Sequence, residues 1–309
     1  MDTRRIGSLE VSVVGLGCNN FGGRIDEEAA RAVVDAALDA GVTFLDTADV
    51  YGGTKSEEFL GRILAGGRER VALATKFGME VARGRRGAAP AYVRRALEDS
   101  LRRLRTDRVD LYQLHEPDPA TPIADTLATL NDLVREGKIR EIGCSNFSAA
   151  QLREARNAVP TDSARFVSVQ NELNLLDRSD EENGLVEAAE LGLAYIPYFP
   201  LASGLLSGKY RRGEPPPAGT RIAGWPEGRR RNVLTDETFD RVEVLTGFAA
   251  DRGHSLLHLA FAWLLAHGPV ASVIAGSTRP EQVRANVVGS SWTLSEKELD
   301  EIRRITSSL

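Results

Sequence analysis

Cysteine and long apolar runs are scarce in this sequence. Only two cysteines, Cys18 and Cys144, occur among 309 residues, which excludes a disulfide-stapled scaffold and a cysteine-rich metal site. No run of about 18 apolar residues is present, as a membrane-spanning helix would require. Residues 1–15 contain no apolar segment of the signal-peptide type. We therefore expect a cytoplasmic protein with no membrane partner.

An excess of positive charge is absent as well. The chain carries 39 basic and 44 acidic side chains, a net charge of −5, whereas nucleic-acid-binding proteins usually present a basic face. Hydrophobic residues make up 42% and charged residues 27% of the chain, which is the balance of an ordinary globular protein. The composition therefore argues against a nucleic-acid partner.

What is present is a repeated pattern, in which a short apolar, β-branched segment is followed by a longer segment of helical periodicity. This pattern predicts strands at 13–17, 42–46, 71–76, 109–115, 139–145, 166–170, 193–198 and 272–276. The helical segments between them include 27–40, 92–103, 123–135, 181–190 and 280–287. Eight strands with crossover helices favour an α/β fold, a (β/α)₈ TIM barrel in a single domain spanning 1–309. An open doubly wound sheet is the alternative.

Three segments lie outside this repeat. Residues 3–6 and 9–12 flank Gly7-Ser8 and predict an N-terminal β-hairpin that plugs the bottom of the barrel. Residues 295–305 predict an extra helix near the C-terminus. The segment 211–231 holds six arginines, four prolines and four glycines, and is expected to be a solvated mobile loop, with a functional lid as the alternative.

Helix-start patterns support several of the predicted helices. A hydroxyl residue precedes a proline or stands three residues before a glutamine or glutamate at Thr121-Pro122, Ser148 with Gln151, and Thr278 with Glu281.

Two motif-like strings are rejected. The string GLGCNN at 15–20 begins like a dinucleotide fingerprint, but Asn20 stands at the third glycine position and no helical pattern follows directly. Tyr51 and Lys55 have the spacing of the short-chain dehydrogenase pair. The intervening Gly52-Gly53 makes a helix improbable, so we expect a loop there.

Ionisable residues of different types stand at the ends of three successive predicted strands. Asp46, Lys76 and His115 end the second, third and fourth strands, and Tyr51 follows the second within a few residues. Because the carboxyl ends of barrel strands meet at one face, we expect these four side chains to lie together in an active site. A metal is not expected, because the crowding of His115 and Glu116 beside prolines fits no usual ligand spacing.

Several segments in the right order resemble the aldo-keto reductase superfamily. They are FLDTADVYGGTKSEEFLG (44–61), ATKFG (74–78), LYQLHEPD (111–118), GCSNFS (143–148), PYFPLASGLLSGKY (197–210) and IAGSTRPEQVRAN (274–286). The resemblance implies a (β/α)₈ barrel, NADPH or NADP⁺ bound across the C-terminal face, and interconversion of carbonyls and alcohols without a metal.

The resemblance also implies roles for the four strand-end residues. Tyr51 would donate the proton to the carbonyl oxygen, Lys76 would lower the cost of the resulting phenolate, Asp46 would keep the lysine charged, and His115 would orient the carbonyl.

For the cofactor, the resemblance assigns residues along the whole face. Gly17, Cys18, Asn19 and Asp46 would line the pocket, Cys18 not as a nucleophile. Ser145, Asn146 and Gln170 would hold the carboxamide, and Tyr198 would stack on the nicotinamide, followed by Phe199 where the family often has serine. The pyrophosphate strap would comprise Pro200, Leu201, Ser203, Gly204, Leu205, Gly208 and Lys209. The adenosine end would be held by Gly276, Ser277, Arg279, Gln282 and Asn286, with Arg279 on the 2′-phosphate.

The substrate is expected to be a small aldehyde or ketone at an open site, because only a short stretch and one helix follow residue 286. Phe21, Tyr92, Trp225 and the segment 211–231 are candidates for shaping that site. We expect a monomer or a weak homo-oligomer. Two alternative functions remain at this point, a non-catalytic NADPH-binding regulatory subunit and a metal-dependent hydrolase that uses Asp46, His115 and Glu116.

Overall fold

The computed structural model describes residues 1–160 and 162–307. Its strands are β1 (Thr3–Ile6), β2 (Leu9–Ser12), β3 (Val14–Gly17), β4 (Phe44–Asp46), β5 (Ala72–Phe77), β6 (Val109–Leu114), β7 (Ile139–Ser145), β8 (Phe166–Gln170), β9 (Ala194–Tyr195) and β10 (Val273–Gly276). Its helices are α1 (Glu27–Asp39), α2 (Lys55–Ile63), α3 (Pro90–Leu104), α4 (Ile123–Arg135), α5 (Ala149–Asn157), α6 (Gly184–Leu191), α7 (Glu227–Val233), α8 (Asp236–Ala250), α9 (Leu256–Leu265), α10 (Pro280–Gly289) and α11 (Glu296–Ser307).

Strands β3 to β10 form one parallel sheet that closes on itself. The order in the sheet is β10-β3-β4-β5-β6-β7-β8-β9. The two ends meet where the Tyr195 N–H donates to the Pro269 carbonyl at 2.8 Å and the Ala271 N–H donates to the Tyr195 carbonyl at 2.9 Å. The predicted (β/α)₈ barrel is therefore confirmed, and the open doubly wound sheet is wrong.

Most predicted strands agree with the structure to within two residues, and 139–145 and 166–170 agree at both ends. The exception is 193–198, of which only Ala194–Tyr195 is a strand. Proline has no N–H to extend a ladder, and Pro197 stands where the prediction continued the strand. Phe199, just beyond, has a left-handed backbone with φ 51°.

The predicted N-terminal hairpin is confirmed, with β1 and β2 pairing from Thr3↔Ser12 to Ile6↔Leu9. Its apolar side chains Ile6, Leu9 and Val11 are buried in one cluster with inward-facing barrel residues such as Ala74 and Leu111. The Arg4 guanidinium donates to the Leu265 carbonyl at 2.8 Å. The hairpin therefore covers the end of the barrel at which the strands begin.

The helix-start predictions hold at one of three places. Ser148 and Gln151 form the expected capping box at α5. At α4 the N-cap is Pro122 itself, and the Thr121 hydroxyl donates to Asp118 instead. At α10 the prediction places the cap one residue too early, because Pro280 takes the first helical position and Arg279 becomes the N-cap.

The segment 211–231 is more ordered than predicted. It contains a 3₁₀ turn at Ile222–Gly224, and its last residues begin α7. Arg212 ties its start to α8, with ion pairs to Asp236 at 2.9 Å and to Asp240 at 2.5 Å. Helices α8 and α9 follow, so the chain makes three helices between β9 and β10.

Across the described part of the chain, no helix combines the length and the apolar character that crossing a membrane requires.

Candidate active site

A cavity of ≈ 670 Å³ opens at the end of the barrel where the strands finish. Most of the residues that the sequence assigned to the site line this cavity. They include residues assigned to the nicotinamide and residues assigned to the adenosine end of the cofactor. The predicted residues at its wall are Gly17, Asn19, Asp46, Tyr51, His115, Ser145, Asn146, Gln170, Tyr198, Phe199, Pro200, Leu201, Ser203, Gly204, Lys209, Gly276, Arg279, Gln282 and Asn286.

A buried lysine links an aspartate to a tyrosine at the cavity wall. The Lys76 ammonium donates to Asp46 Oδ2 at 2.5 Å, to the Thr47 carbonyl at 3.0 Å and to the Tyr51 hydroxyl at 3.3 Å. Lys76 itself is fully buried and lies behind the wall. The rejected lysine, Lys55, is exposed at the first position of α2. Strand order thus brings Asp46, Tyr51 and Lys76 together as expected.

Two glutamines hold the other oxygen of this aspartate. Gln113 Nε2 donates to Asp46 Oδ1 at 3.1 Å, and Gln170 Nε2 donates to the same atom at 2.9 Å. Gln113 is fully buried and was missed in the sequence. Its position two residues before His115 was the available signal, because alternate residues of a strand face the same side.

The pKa values of the tyrosine and the lysine both lie above their ordinary values. Burial raises the pKa of Tyr51, and the adjacent Lys76 cation offsets this only in part. Burial alone would lower the pKa of Lys76, but the charge of Asp46 and the contact with Tyr51 outweigh it, so that this pKa is raised. Tyr51 therefore keeps its proton at neutral pH, and Lys76 stays charged.

His115 is a neutral imidazole beside the tyrosine. Burial and the Lys76 cation lower the pKa of His115 to about 3. Its ring meets the Tyr51 ring edge to face, with centroids 5.7 Å apart. Its Nδ1 is buried and has no hydrogen-bond partner among the described residues. An uncharged ring at this position has one N–H to offer to a neighbouring oxygen.

Asn146 connects His115 to the far wall of the cavity. Its Nδ2 donates to the His115 carbonyl at 2.8 Å, and its Oδ1 accepts from the Tyr198 hydroxyl at 2.8 Å. The backbone of Asn146 is left-handed, with φ 60°, and Phe199 and Ser203 at the same wall share this conformation. Such strained residues cluster at functional sites, where the surrounding structure holds them in place.

The other arm of the cavity is cationic. Arg24, Lys209, Arg221 and Arg279 line it, and none of them forms an ion pair with a carboxylate in the described ranges 1–160 and 162–307. Burial lowers the pKa of Lys209, and the charges of the three arginines lower it further. Although the protein has a net negative charge, four cations without a carboxylate partner lie together in this arm of the cavity.

Four residues assigned to the cofactor do not line the cavity: Cys18, Leu205, Gly208 and Ser277. Cys18 is fully buried behind the wall, where its Sγ contacts the Leu16 carbonyl at 3.6 Å and burial raises its pKa well above the ordinary value. Ser277 is buried as well, and its Oγ accepts from Asn286 at 3.5 Å. Leu205 is buried, and Gly208 faces solvent at the end of a 3₁₀ turn.

The cavity also has wall residues that the sequence did not assign individually, and four of them, at 218–221, belong to the segment 211–231 that was a candidate for shaping the site. These wall residues are Asn20, Arg24, Ser207, Ala218, Gly219, Thr220, Arg221, Leu257, Ile274, Ala275, Thr278 and Ala285. Arg221 reaches across to Asn20 at 3.0 Å and stacks over the Phe199 ring. The arginine-rich composition of 211–231 was the signal for this contact.

The aromatic residues proposed to shape the substrate site stand elsewhere. Phe21 is fully buried, the Tyr92 hydroxyl donates to the Arg85 carbonyl, and Trp225 stacks with Arg229. None of the three lines the cavity.

The aspartate of the metal-hydrolase alternative is engaged in other contacts. Both oxygens of Asp46 accept hydrogen bonds, from Lys76, Gln113 and Gln170. No group of three histidine, cysteine or carboxylate ligands is assembled within the part of the chain that the structure covers.

A closed eight-stranded barrel with a polar cavity at the carboxyl ends of its strands defines a TIM-barrel protein with its site at the usual face. The Aldo/keto reductase family model matches residues 13–307. The chain belongs to the aldo/keto reductase family. It is therefore an oxidoreductase of a family whose general chemistry is carbonyl reduction.

Individual relatives agree with this assignment. Probable aldo-keto reductase 1 of Glycine max is 34% identical over 303 residues, covering 95% of this chain and 85% of that protein. Aldo-keto reductase YhdN of Bacillus subtilis (strain 168) is 34% identical over 306 residues, covering 96% and 90%. The solved structure of the glycerol dehydrogenase AKR11B4 from Gluconobacter oxydans superposes with a TM-score of 0.87 at 32% identity, covering 99% of this chain and 95% of that one.

Proposed function

We propose that the protein reduces small aldehydes and ketones to alcohols with NADPH, and that Tyr51, Lys76, Asp46 and His115 carry the reaction. The observation that supports this most is the contact of Tyr51 with a fully buried ion pair, 3.3 Å from the Lys76 ammonium, at the wall of the cavity at the carboxyl ends of the strands. The presence of Tyr51, Lys76 and His115 together at this cavity weighs against a regulatory subunit without catalysis.

The cavity suits a phosphorylated dinucleotide. Arg24, Lys209, Arg221 and Arg279 offer unpaired cations in one arm, where phosphate groups form strong charge-assisted hydrogen bonds. The opposite arm offers the Tyr198 ring and the amides of Asn146 and Gln170, which suit an aromatic ring with a carboxamide. When bound there, the reduced nicotinamide supplies the hydride that the carbonyl carbon needs.

The protein's own residues then handle the proton. Tyr51 is protonated at neutral pH and lies where a carbonyl oxygen can accept its hydrogen bond. As the oxygen becomes negative, Tyr51 gives up its proton, and the Lys76 ammonium stabilises the phenolate that remains. Asp46 keeps Lys76 charged and fixes its position through the 2.5 Å contact.

His115 orients the substrate. Because its pKa is about 3, it offers a neutral N–H rather than a second cation, and so it aligns the carbonyl oxygen toward Tyr51 without competing as an acid. None of the three predicted aromatic residues lines the cavity, so the site is open and small carbonyl compounds have free access to it. One structural relative is a glycerol dehydrogenase, so small polyols belong in the test as substrates for the reverse direction.

The test is a panel of small aldehydes, ketones and polyols, followed by NADPH absorbance, with NADH run in parallel and with chelator-dialysed protein. We expect turnover of at least one activated aldehyde, with NADPH preferred and with no dependence on metal. Tight NADPH binding without turnover of any substrate would instead support the regulatory subunit. Full reductase activity of the chelator-dialysed protein, with no bound metal, would exclude the metal-dependent hydrolase.

A further inference from the structure

Gln113 lies at the centre of the buried polar layer beneath the candidate active site. Its Nε2 donates to Asp46 Oδ1 at 3.1 Å, and its Oε1 accepts from Gln170 Nε2 at 3.4 Å. Gln170 in turn donates to the same Asp46 oxygen at 2.9 Å. The three side chains therefore form a closed triangle across β4, β6 and β8.

The orientation of the Gln113 amide is determined by these contacts. If the amide were turned over, its oxygen would face the Asp46 carboxylate and its NH₂ would face the NH₂ of Gln170, so both contacts would become repulsive. Gln113 is fully buried, so water cannot take over either contact. The amide thus acts as a donor to Asp46 and as an acceptor for Gln170 at the same time.

We infer that Gln113 is a positioning residue for the reaction, which holds Asp46 ionised and aimed at Lys76 while it fixes Gln170. The inference rests on the proposed function, because it assigns a purpose to the Asp46–Lys76 pair that the function uses. Gln113 reaches neither the cavity nor Tyr51, and it acts only through its two neighbours.

The physical reason is the cost of a buried ion pair. Two charges removed from water remain charged only if further hydrogen bonds satisfy them. Lys76 satisfies Asp46 Oδ2, but Oδ1 depends on Gln113 and Gln170 alone. Without the Gln113 donor, the neutral pair of a protonated aspartate and an uncharged lysine becomes more accessible, and Tyr51 loses the cation that stabilises its phenolate.

Replacement by glutamate distinguishes a positioning residue from a purely structural one. In Gln113→Glu the neutral acid can donate to Asp46 as the amide does, whereas the ionised form places a second carboxylate against it. The titratable groups facing this pair are Lys76 from β5, Tyr51 from the β4–α2 loop and Cys18 after β3. We expect near wild-type kcat at low pH and a loss of about tenfold or more across a new ionisation that is absent from the wild type.

Replacement by leucine removes both contacts at every pH. We expect Gln113→Leu to lower kcat about tenfold or more throughout the pH range, with the Kd for NADPH changed by less than about threefold. Thr75→Val is the matched control. Thr75 is a fully buried polar residue on the neighbouring strand, but its hydroxyl donates to Glu57 on the helix side at 2.5 Å. The Thr75→Val variant should lower the Tm about as much as Gln113→Leu does, and it should leave the pH profile of kcat unchanged.

A second measurement does not depend on activity. If the Gln113 position faces an ionised Asp46, the Tm of Gln113→Glu should fall relative to the wild type as pH rises and the new carboxyl ionises. Adding Asp46→Asn should remove most of this difference. A Gln113→Glu pH profile and Tm that both follow the wild type would overturn the inference, as would equal kcat losses in Gln113→Leu and Thr75→Val. A wild type inactive on the whole panel would refute the proposed function. The Tm comparison would still show whether the side chain at position 113 contacts Asp46.

Discussion

Tyr51 is the residue whose replacement should separate chemistry from binding. In Tyr51→Phe the ring and its packing remain, and only the hydroxyl that contacts Lys76 at 3.3 Å is lost. We expect kcat to fall about 100-fold or more, with the Kd for NADPH nearly unchanged, as measured by NADPH absorbance and fluorescence titration. Tyr92→Phe is the control, because its hydroxyl donates to the Arg85 carbonyl and Tyr92 does not line the cavity. Comparable turnover in the two variants would contradict the proton-donor role.

Arg279 is the residue whose replacement should separate the two nicotinamide cofactors. It lines the cationic arm at the start of α10. Charge-assisted hydrogen bonds to a 2′-phosphate are worth about 1.5–3 kcal/mol, so Arg279→Ala should weaken NADPH binding by roughly tenfold to a hundredfold and barely change NADH binding. Arg284→Ala is the control, because Arg284 is exposed on the same helix and does not line the cavity. Equal losses for both nucleotides would mean that Arg279 is structural.

At this scale, the sequence revealed the residues that stand where strands end. Asp46, Lys76 and His115 could be placed together because parallel strands of a barrel finish at one face. Gln113 could be placed only on the same strand face as His115, since a glutamine inside an apolar strand carries no mark of its partners. Arg24 could not be placed, because it comes from an irregular segment that periodicity does not describe. Arg221 could be placed only through the arginine-rich segment 211–231 as a whole.

Among the secondary-structure elements, α5 offers the clearest test of a local sequence signal. The Ser148 hydroxyl oxygen accepts from the Gln151 N–H at 3.4 Å, and Gln151 Oε1 accepts from the Ser148 N–H at 2.9 Å. We expect Ser148→Ala to lower the free energy of unfolding by about 1 kcal/mol, as measured by urea unfolding, with no change in kcat. Ser291→Ala replaces an exposed serine after the end of α10 and should change stability by less than about 0.5 kcal/mol. Equal losses in the two variants would show that the cap adds nothing.

Elements with a weak or uniform pattern were the ones that the sequence missed or predicted with the wrong length. Helix α9 reads LLHLAFAWLL and is apolar around nearly its whole circumference, so it shows no amphipathic period. Strand β9 has only two residues, and it completes the barrel through the backbone at 269–271 rather than through a run of its own. Tertiary contacts, not local preference, determine both.

For the whole molecule, Asp49 should shape the dependence of stability on pH. Its side chain is 1% exposed, and Oδ1 has no partner within the described residues. Burial and the nearby Glu57 carboxylate raise the pKa of Asp49 from 3.8 to about 7. The folded protein therefore holds a proton that the unfolded chain has released between these values, so the free energy of unfolding falls as pH rises through that window.

Asp49→Asn cannot ionise and should escape this loss. We expect the variant to match the wild type near the lower end of the window and to be more stable above its upper end, by on the order of 4 kcal/mol. Urea unfolding across the window measures the difference. Asp107→Asn alters a side chain that is 88% exposed. The free energy of unfolding of this variant should change with pH as that of the wild type does. If the free energy of unfolding of Asp49→Asn shows the same pH dependence as the wild type, the Asp49 carboxyl is ionised throughout the window.

The N-terminal hairpin leaves the barrel with a single entrance. Ile6, Leu9 and Val11 fill the end where the strands begin, and the cavity opens only beyond the polar layer of Asp46, Gln113 and Gln170 among the described residues. Two ligands that share this cavity must enter and leave by the same route. The floor that β1 and β2 provide therefore closes the barrel to passage from one end to the other, and every exchange of ligand takes place at the face where the strands end.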